Sequence, residues 1–441
     1  MTRYLYLHSV FILFAMLFPN TLLAKEDFSV WLQNVKYEAK SLGISDDTTA
    51  DFTSHTIFLP NVIKQDRAQP EFITPFLDYF SKRVDDKKVA YGRALMLKHH
   101  ELLTQIESKY GVPKQVLIAF WGMETQYGNV KGNIDVLSAL ATLAYEGRRS
   151  DFFRAQLLDA ILMIELGYVD IERFKGSWAG AFGNMQFMPT TFMLYAVDGD
   201  ADGVIDVVNS LPDAFASAAH YLASIGWKQN EPVMVEVKLP NDFDWQSAQM
   251  AVRKAPEEWS KLGVQVCVIE TDTTDNLTSM NVDTPLGGDN QKTKRQVCDQ
   301  EQTETTLNIK SSGAFPNVSG MASILLPQGW QGPAFMVFDN FDIIMQWNRS
   351  VNYALSVAQL AKLLNREPSI LGGGFAESGA LTYQQMLELQ NRLNDLGFDA
   401  GVADGLPGLQ TQAAVRSYQL EQQLPADGYA SPSFYQRLLL H

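Results

Sequence analysis

The chain has 441 residues, of which 46% are hydrophobic and 19% charged, and its formal charge at pH 7 is −15. This length permits two or three domains, and the composition is that of a globular protein with a buried core, which excludes disorder over most of the chain. The acidic balance argues against DNA or RNA as a partner, because binding phosphates requires a basic surface.

The N-terminal residues 1–24 are typical of a secretion signal. Arg3 gives a positive start, residues 10–18 (VFILFAMLF) are apolar, and Ala24 is the small residue that a signal peptidase requires. The apolar run is short for a membrane span, which favours a cleaved signal over an uncleaved anchor. Lys25 rather than a cysteine follows Ala24, so no lipid anchor is expected there. We therefore expect a periplasmic protein without a stable membrane anchor, acting as a monomer.

The next part of the chain, from residue 25 to about 228, carries apolar residues at helical spacing. The pattern predicts helices over 28–39, 72–84, 91–110, 113–127, 151–167 and 213–225. The period then becomes that of short strands in VMVEVKL, VQVCVIE, ASILLP and AFMVF, and helix returns at 353–364. These elements predict an α+β, mainly helical domain over 25–370, with a small β subdomain at about 230–345.

A polar stretch at about 271–306 interrupts the β region and predicts a long loop or insertion. Cys267 and Cys298 are the two cysteines of the chain, and they bracket most of it. In an exported protein such a pair favours one disulfide, worth about 3–4 kcal/mol in the chain-entropy model, with two free thiols as the alternative. Neither cysteine has a partner at metal-ligand spacing, so zinc is not expected.

Two short segments complete the domain organisation. Residues 371–380 are rich in glycine and predict a flexible linker. Residues 381–441 contain an internal echo, because Ala403-Asp404-Gly405 recurs as Ala426-Asp427-Gly428, each between helix-like stretches. This echo predicts a small C-terminal domain of three helices.

The helix predicted at 113–127 carries the candidate catalytic residue. Glu124 shares a stripe with Val116 and Phe120, so it faces apolar neighbours. Gly128 ends the helix and places Glu124 in its last turn. Desolvation and the negative end of the helix dipole both raise the pKa of this carboxyl group, which keeps the proton that a general acid needs. The alternative is a semi-buried glutamate paired with a cation.

A segment dense in glycine and aromatic residues follows at 177–189 (SWAGAFGNMQFMP). Small residues let a backbone approach a ligand closely. We expect Gln186 to hydrogen-bond the Glu124 carboxyl group and hold its rotamer. The alternative is a loop packed into the core.

The acidic stretch at 198–206 (DGDADGVID) matches an EF-hand calcium loop, with acids at positions 1, 3, 5 and 9 and glycine at position 6. Position 12 is Asn209 instead of the usual glutamate. We expect a structural Ca²⁺, with an Asp/Gly turn that binds nothing as the alternative, and no cofactor for catalysis. The predicted ligands are Asp198, Asp200, Asp202 and Asp206 through their carboxylates and Val204 through its carbonyl oxygen.

These motifs together resemble the lytic murein transglycosylase B family. The similarity rests on WGMETQYG at 121–128, the 177–189 segment, and NF…NRS…YAL at 340–355, with support from RAQPEF at 67–72. It runs from about residue 26 to 368 outside the insertion. The resemblance implies a lysozyme-like domain that cleaves the MurNAc-GlcNAc bond of peptidoglycan glycan strands without water. One glutamate, Glu124, would act as acid and then base and leave 1,6-anhydromuramyl ends.

The resemblance also implies roles for further residues. Arg148 and Arg149 would face the lactyl or peptide side of the substrate, or else form a solvated face, and Asp213 would complete the calcium site. Trp347 stands where the family usually has tyrosine, which keeps a stacking surface, loses the phenol hydroxyl and leaves a hydrogen-bonding role open. The residues implied to line the sugar cleft are Ser177, Gln186, Tyr221, Trp347, Asn348, Tyr353 and Tyr127, of which Tyr221 has a core position as its alternative.

Residues 381–440 resemble the peptidoglycan-binding domain found at the ends of cell-wall enzymes. Leu389-Gln390, Asp404-Gly405 and Tyr418-Gln419 follow its pattern, whereas Leu406-Pro407 departs from the commonest forms. Such a domain would tether the enzyme to its polymer and raise the local substrate concentration. Two other functions stay open: a muramidase that hydrolyses the same bond, and a wall-binding protein without activity. The mass of the digestion products distinguishes a muramidase from a lytic transglycosylase, because anhydro ends weigh one water less than reducing ends.

Overall fold

The structure is a computed structural model that describes residues 27–68, 74–267 and 314–440. The predicted signal peptide (1–24), the polar insertion (271–306) and Cys298 lie outside the described residues. Cys267 is disulfide-bonded. Within the described ranges, none of the helices has the length and apolar character needed to cross a membrane.

Helices are the main regular structure in the described part of the chain up to residue 370. Several begin at a side chain that caps the helix N-terminus, such as Asp27, Ser45 and Asp135, which accept hydrogen bonds from backbone N–H groups of the first turn. The helices are α1 (Phe28–Ser41), α2 (Asp46–His55), α3 (Pro60–Ala68), α4 (Phe76–Arg83), α5 (Asp86–Lys98), α6 (His100–Tyr110), α7 (Lys114–Thr125), α8 (Val136–Glu146), α9 (Ser150–Glu165), α10 (Pro189–Tyr195), α11 (Leu211–Ser224), α12 (Pro256–Lys261), α13 (Asp339–Trp347) and α14 (Val351–Leu364).

The single helix predicted over 91–110 is two helices in the structure. At His99 the backbone leaves helical geometry (φ −102°, ψ 22°), and α6 starts at the next residue. The apolar spacing on either side is helical, so periodicity alone did not reveal the break. Helix α7 begins after Pro113 and ends at Thr125, close to the predicted bounds, and it keeps Glu124 in its last turn.

Two antiparallel sheets accompany the helices. A two-stranded sheet pairs β1 (Ile134–Asp135) with β2 (Lys175–Gly176) directly before the 177–189 segment. The second sheet has four strands in the order β4-β3-β6-β5. Its strands are β3 (Met234–Lys238), β4 (Gln265–Val266), β5 (Ser323–Leu325) and β6 (Ala334–Val337).

The four-stranded sheet joins two hydrophobic cores. Successive side chains of β6 point to opposite faces, as in any strand. Phe335 and Val337 belong to the large helical core, whereas Ala334 and Met336 belong to a smaller core built around the fully buried Trp259. This arrangement attaches the β subdomain firmly to the helical domain.

The C-terminal domain consists of α15 (Tyr383–Asp395), α16 (Leu409–Glu421) and α17 (Pro432–Leu439) around its own core. The sequence echo corresponds to two turns built alike, each held by a buried glutamine. Gln390 accepts hydrogen bonds from the N–H groups of Asp404 and Gly405, and Gln419 accepts one from Gly428. The predicted α+β, mainly helical fold with a β subdomain and a three-helix C-terminal domain is confirmed.

Candidate active site

Glu124 lies in the last turn of α7, a helix whose residues 116–123 are all buried. The backbone turns sharply after Thr125, because Gln126, Tyr127 and Gly128 all have positive φ values of 51°, 60° and 83°. The left-handed region costs a non-glycine residue about 1–3 kcal/mol when the surroundings impose it. The turn is therefore held by its neighbours, and it ends α7 directly after Glu124.

The Glu124 carboxyl group receives two hydrogen bonds on the same oxygen. The Trp347 indole N–H donates to Oε1 at 2.9 Å, and the Tyr353 hydroxyl group donates to the same atom. Trp347 ends α13 and Tyr353 lies in the first turn of α14, so both elements meet the end of α7 at this carboxyl group. The other oxygen, Oε2, is the one left to face a ligand.

Burial is the largest influence on the pKa of Glu124. The side chain is only half-buried, but its carboxyl group is packed closely enough to lose most of its hydration. This desolvation raises the pKa of Glu124 from 4.5 to about 7, against the lowering effect of the hydrogen bonds from Tyr353 and Trp347 and of the Arg83 charge. The upward shift expected from the sequence is present, with burial as its largest cause.

The two hydrogen-bond donors stay protonated under the same conditions. Burial and the adjacent Glu124 raise the pKa of Tyr353 well above its ordinary value, so its hydroxyl group remains a donor. Trp347 shows that the tyrosine expected at this position is not required for a hydrogen bond, because the indole N–H supplies one. Trp347 therefore has a hydrogen-bonding role, which the sequence alone left open.

Aromatic rings surround the carboxyl group. The Trp347 ring centre lies 4.6 Å from that of Phe120, 5.5 Å from that of Phe187 and 5.3 Å from that of Tyr221. Tyr221 in turn lies 4.7 Å from Tyr195. Trp347, Tyr221 and Tyr195 are half-buried, so they offer ring faces beside the acid. Such faces suit the apolar faces of sugar rings.

Gln186 does not hydrogen-bond Glu124, and this expectation was wrong. Its side-chain N–H₂ group donates instead to the carbonyl oxygens of Lys131 and Gly183, each at 3.0 Å. Its backbone has φ +50°, so the residue closes a tight turn that directs the side chain toward Lys131. Gln186 therefore shapes the loop, and Trp347 and Tyr353 hold the acid.

Ser177 and Asn348 are half-buried and also stabilise turns. Ser177 Oγ accepts from the N–H of Ala181 at 3.1 Å, and Asn348 Oδ1 accepts from the N–H of Ser350 at 3.0 Å. Each group keeps hydrogen-bonding capacity for a ligand.

Tyr127 was predicted to contact substrate, and the structure places it in the core instead. Its side chain is buried, and its hydroxyl group donates to the carbonyl oxygen of Lys88 at 3.0 Å. The ring occupies space left by Gly92 and Gly122, where an added Cβ would come within 3 Å of it. The left-handed backbone at Tyr127 turns the ring inward, which explains the correction.

Arg148 and Arg149 both pair with Asp66. Arg148 Nε donates to Asp66 Oδ2 at 2.9 Å, and the Arg149 guanidinium contacts the other oxygen. Asp66 is buried, whereas both arginine side chains are 42% exposed. One carboxylate faces two cations, so the pair keeps a net positive charge at the surface.

Three of the predicted calcium ligands come together. The carboxylates of Asp198, Asp200 and Asp202 lie within 4.8 Å of one another, as a divalent cation would require. Asp213 instead accepts from the backbone N–H groups of Gly199 and Asp206, each at 2.7 Å. The charges of the three carboxylates, of which Asp200 and Asp202 are exposed, fit an oxygen-preferring cation, and Asp213 holds the loop shape that brings them together.

Asp206 also has a structural role that the ligand prediction missed. Its carboxylate accepts from the N–H groups of Val208 and Asn209 at 2.9 Å. Val204 lies in the same loop with its side chain exposed. The residues that the structure gathers as candidate ligands are therefore the first three aspartates, and Asp206 and Asp213 support them.

Arg83 belongs to the site, although the sequence analysis did not identify it. It ends α4, its guanidinium carbon lies 5.0 Å from the ring centre of Tyr79, and its charge lowers the pKa of Glu124. It is a lone arginine outside the motifs, so sequence carried no signal for it. Its cationic charge favours the ionised form of the acid after proton transfer.

Comparisons with known proteins identify two matching families and several similar proteins. Residues 27–285 and 273–362 match the family described as transglycosylase SLT domain, and residues 382–438 match that of a peptidoglycan binding domain. The membrane-bound lytic murein transglycosylase B of Escherichia coli is 34% identical over 174 residues, which are 38% of this chain and 48% of that protein. The chain thus matches about half the length of this curated relative.

Two further proteins are similar. The structure of SltB3 from Pseudomonas aeruginosa, solved with NAG-NAM-pentapeptide and with NAG-anhNAM-pentapeptide, has a TM-score of 0.77 and 36% identity. The similarity covers 94% of this chain and 100% of that one. The N-acetylmuramoyl-L-alanine amidase CwlM of Mycobacterium tuberculosis is 48% identical over 59 residues, or 13% of this chain and 14% of CwlM.

Proposed function

Because this chain belongs to the transglycosylase SLT domain family, we propose that it is a peptidoglycan lytic transglycosylase with Glu124 as its single catalytic carboxyl group. The observation that carries the proposal is the environment of that group. Oε1 is held by Trp347 and Tyr353, and desolvation raises the pKa of Glu124 to about 7. A carboxyl group with this pKa is protonated in a large fraction of molecules at neutral pH and can act as a general acid.

In the first step, Glu124 donates its proton to the oxygen between N-acetylmuramic acid and N-acetylglucosamine. The bond from C1 of the muramic acid to that oxygen breaks, and the N-acetylglucosamine leaves with a hydroxyl group. The acetamido oxygen of the same muramic acid stabilises the positive charge that develops at C1. The Arg83 charge and the two hydrogen bonds on Oε1 stabilise the Glu124 carboxylate that results.

In the second step, the same carboxylate acts as a base. It accepts the proton of the C6 hydroxyl group while the C6 oxygen bonds to C1, which closes a 1,6-anhydro ring and restores the protonated Glu124. No water enters the product. Ordinary glycosidases use two carboxyl groups, whereas the charged neighbour that shifts the Glu124 pKa is a cation, Arg83. This favours a mechanism with one carboxyl group.

The substrate is the glycan strand with its stem peptide. The complexes of SltB3 contain NAG-NAM-pentapeptide and NAG-anhNAM-pentapeptide, and the similarity to that protein covers 94% of this chain. Ring faces of Trp347 and Tyr221 lie beside Glu124 for the sugars. Arg148 and Arg149 offer positive charge to the carboxylates of the lactyl and peptide groups. Ser177, Gln186 and Asn348 complete the proposed cleft, and the buried Tyr353 acts through its hydrogen bond to Glu124.

The C-terminal domain serves as a tether to the cell wall. Its match to a peptidoglycan binding domain supports this role. A contact with the catalytic domain restricts the position of the C-terminal domain, since the backbone N–H of Trp330 donates to Asp427 Oδ2 at 2.8 Å. Export to the periplasm, inferred from residues 1–24, remains a prediction, as does a monomeric state.

The loop 198–213 is proposed to hold a structural Ca²⁺ through Asp198, Asp200 and Asp202. When bound, the ion would offset the repulsion between these carboxylates. Asp213 and Asp206 hold the backbone around them through hydrogen bonds to loop N–H groups. The ion takes no part in the proposed bond cleavage.

The decisive experiment is the mass of the products. Full-length protein is incubated with purified sacculi, and the soluble muropeptides are separated and weighed. We expect products one water lighter than reducing muropeptides. Reducing ends would instead favour the hydrolytic muramidase, and an absence of soluble products together with retained sacculus binding would favour a non-catalytic wall-binding protein.

A further inference from the structure

We propose that Asn184 is a positioning residue for the reaction, because its buried side chain joins the 198–213 loop to the end of α7 and so holds Glu124 in place. The inference rests on the proposed role of Glu124 and adds a residue that touches neither the acid nor the sugar cleft. It follows from the hydrogen bonds that Asn184 makes on its two sides.

On the side of the catalytic helix, Asn184 contacts two residues of the last turns of α7. Its Oδ1 accepts from the Trp121 indole N–H at 3.3 Å, and its backbone carbonyl oxygen accepts from the Thr125 hydroxyl group at 2.8 Å. The Thr125 hydroxyl group also accepts from the N–H of Gly128 at 2.9 Å. These contacts flank Glu124 on both sides in the chain.

On the side of the loop, Asn184 binds two consecutive carbonyl groups. Its side-chain N–H₂ group donates to Val208 O at 2.9 Å and to Val207 O at 3.3 Å, and its backbone N–H donates to Val207 O at 3.0 Å. Both amide hydrogens and the amide oxygen therefore have partners. The partners also determine the orientation of the amide, because two carbonyl groups require the nitrogen and an indole N–H requires the oxygen.

The loop presents those carbonyl groups in a defined conformation. Asp206 accepts from the N–H of Val208, and Asp213 accepts from the N–H of Asp206 at 2.7 Å. Lys131 adds a second connection, since its ammonium group donates to Val208 O at 2.6 Å. Hydrogen bonds thus run without interruption from the acidic loop through Asn184 to the helix that carries the acid.

The backbone after Glu124 explains why this connection matters for catalysis. Three consecutive residues with positive φ follow Thr125, and such a turn persists only where neighbours impose it. The Asn184 side chain packs against the turn, because a Cβ at Gly128 would lie 2.9 Å from Asn184 Oδ1. Loss of the side chain would let the turn relax and move Glu124 away from the hydrogen bonds of Trp347 and Tyr353.

The experiment compares full-length Asn184→Ala with wild type in the release of anhydro muropeptides. We expect kcat to fall at least tenfold with KM within twofold, and the basic limb of the kcat–pH profile to move to higher pH. The direction follows because the hydrogen bonds from Tyr353 and Trp347 lower the pKa of Glu124, and the variant weakens them. Circular dichroism and assays below the melting temperature ensure that folded protein is compared.

If Asn184→Ala does not fold, a conservative pair tests the other link between Asn184 and α7, which is the hydrogen bond from the Thr125 hydroxyl group to the Asn184 backbone carbonyl oxygen. Thr125→Val removes the hydroxyl group that bonds Asn184 and is nearly isosteric, whereas Thr125→Ser retains that group. We expect Thr125→Val to lower kcat and shift the pH profile, and Thr125→Ser to restore both to within twofold of wild type. Gln328→Ala is the matched control, because this buried amide contacts the N–H of Leu77 and the carbonyl oxygen of Glu377 instead of α7.

The outcomes separate this inference from the proposed function. A folded Asn184→Ala with wild-type kcat and pH profile would overturn it. So would a loss of kcat in Gln328→Ala equal to that in Asn184→Ala, because the effect would then be one of general stability. If wild type itself releases no anhydro product, the proposed function fails, whatever the variants show.

Discussion

Replacing Glu124 by glutamine should abolish cleavage and, at neutral and alkaline pH, should also stabilise the protein. The carboxyl group is desolvated, which raises its pKa from 4.5 to about 7. Folding therefore keeps an acid in a place that opposes its ionisation. Glutamine has nearly the same shape and does not ionise. The variant therefore avoids the free-energy cost of ionising a desolvated carboxyl group, and it loses the catalytic proton.

The sign and size of the effect follow from the pKa. A group whose pKa is higher in the folded than in the unfolded chain contributes stability that is fully present below pH 4.5 and is lost as the pH rises through about 7. At about 1.4 kcal/mol per pKa unit the loss is about 3 kcal/mol, and partial exposure of the side chain reduces it toward about 1–2 kcal/mol. With an unfolding entropy of about 2.1 cal/mol/K per residue over 441 residues, this corresponds to roughly 1–2 °C in Tm.

The assay is thermal unfolding of wild type and Glu124→Gln between pH 5 and pH 8.5 at constant ionic strength. We expect the Tm of the variant relative to wild type to increase by roughly 1–2 °C across this range. Glu257→Gln removes the same charge from an exposed position on α12 and should leave its Tm difference constant. A Tm difference for Glu124→Gln that does not change with pH would refute the raised pKa. Undiminished cleavage by the variant would refute the role of the acid.

Two other predictions concern the groups around the acid and the acidic loop. Tyr353→Phe removes a hydrogen bond that lowers the pKa of Glu124, so the basic limb of the kcat–pH profile should move to higher pH and kcat should fall about tenfold or more; an unchanged profile would contradict this. Millimolar Ca²⁺ should raise the Tm of wild type by several degrees, and Asp200→Asn should lose most of this increase because it removes one of the three clustered carboxylates. An equal increase in the variant would exclude this loop as the calcium site.

Much of the fold was predictable from local sequence patterns. Apolar spacing identified the helix that carries Glu124, because period 3.6 reports which face of a helix is buried. The strand β6 was identified as a short apolar run, and all four of its residues are buried. The repeated Ala-Asp-Gly turns identified the C-terminal domain, since each glycine takes a positive φ that few other residues accept. The break at His99 was missed because the helical spacing continues on either side of it.

In the candidate site, too, some residues were predictable from sequence and others were not. Glu124 was identified as the candidate acid because its motif resembles that of a known family, whereas its helix position predicted only desolvation, which is the main cause of its raised pKa. Its partners were not, because a hydrogen bond from Trp347 crosses 223 residues of chain and depends on how α13 meets α7. Gln186 and Tyr127 were assigned wrongly for a related reason. Positive φ values at both positions turn their side chains away from the directions that a regular helix or loop would suggest.

By itself, the sequence indicated which residue is the candidate acid, which loop gathers carboxylates and which segment forms the C-terminal domain, because each depends on residues close together in the chain. Only the tertiary structure decided what holds the proton in place. Arg83, Asn184, and Trp347 with Tyr353 come from three separate parts of the chain, and their interactions with α7 arise from packing across the large helical core. Distances between side chains remote in sequence are set by that packing, which no local pattern encodes.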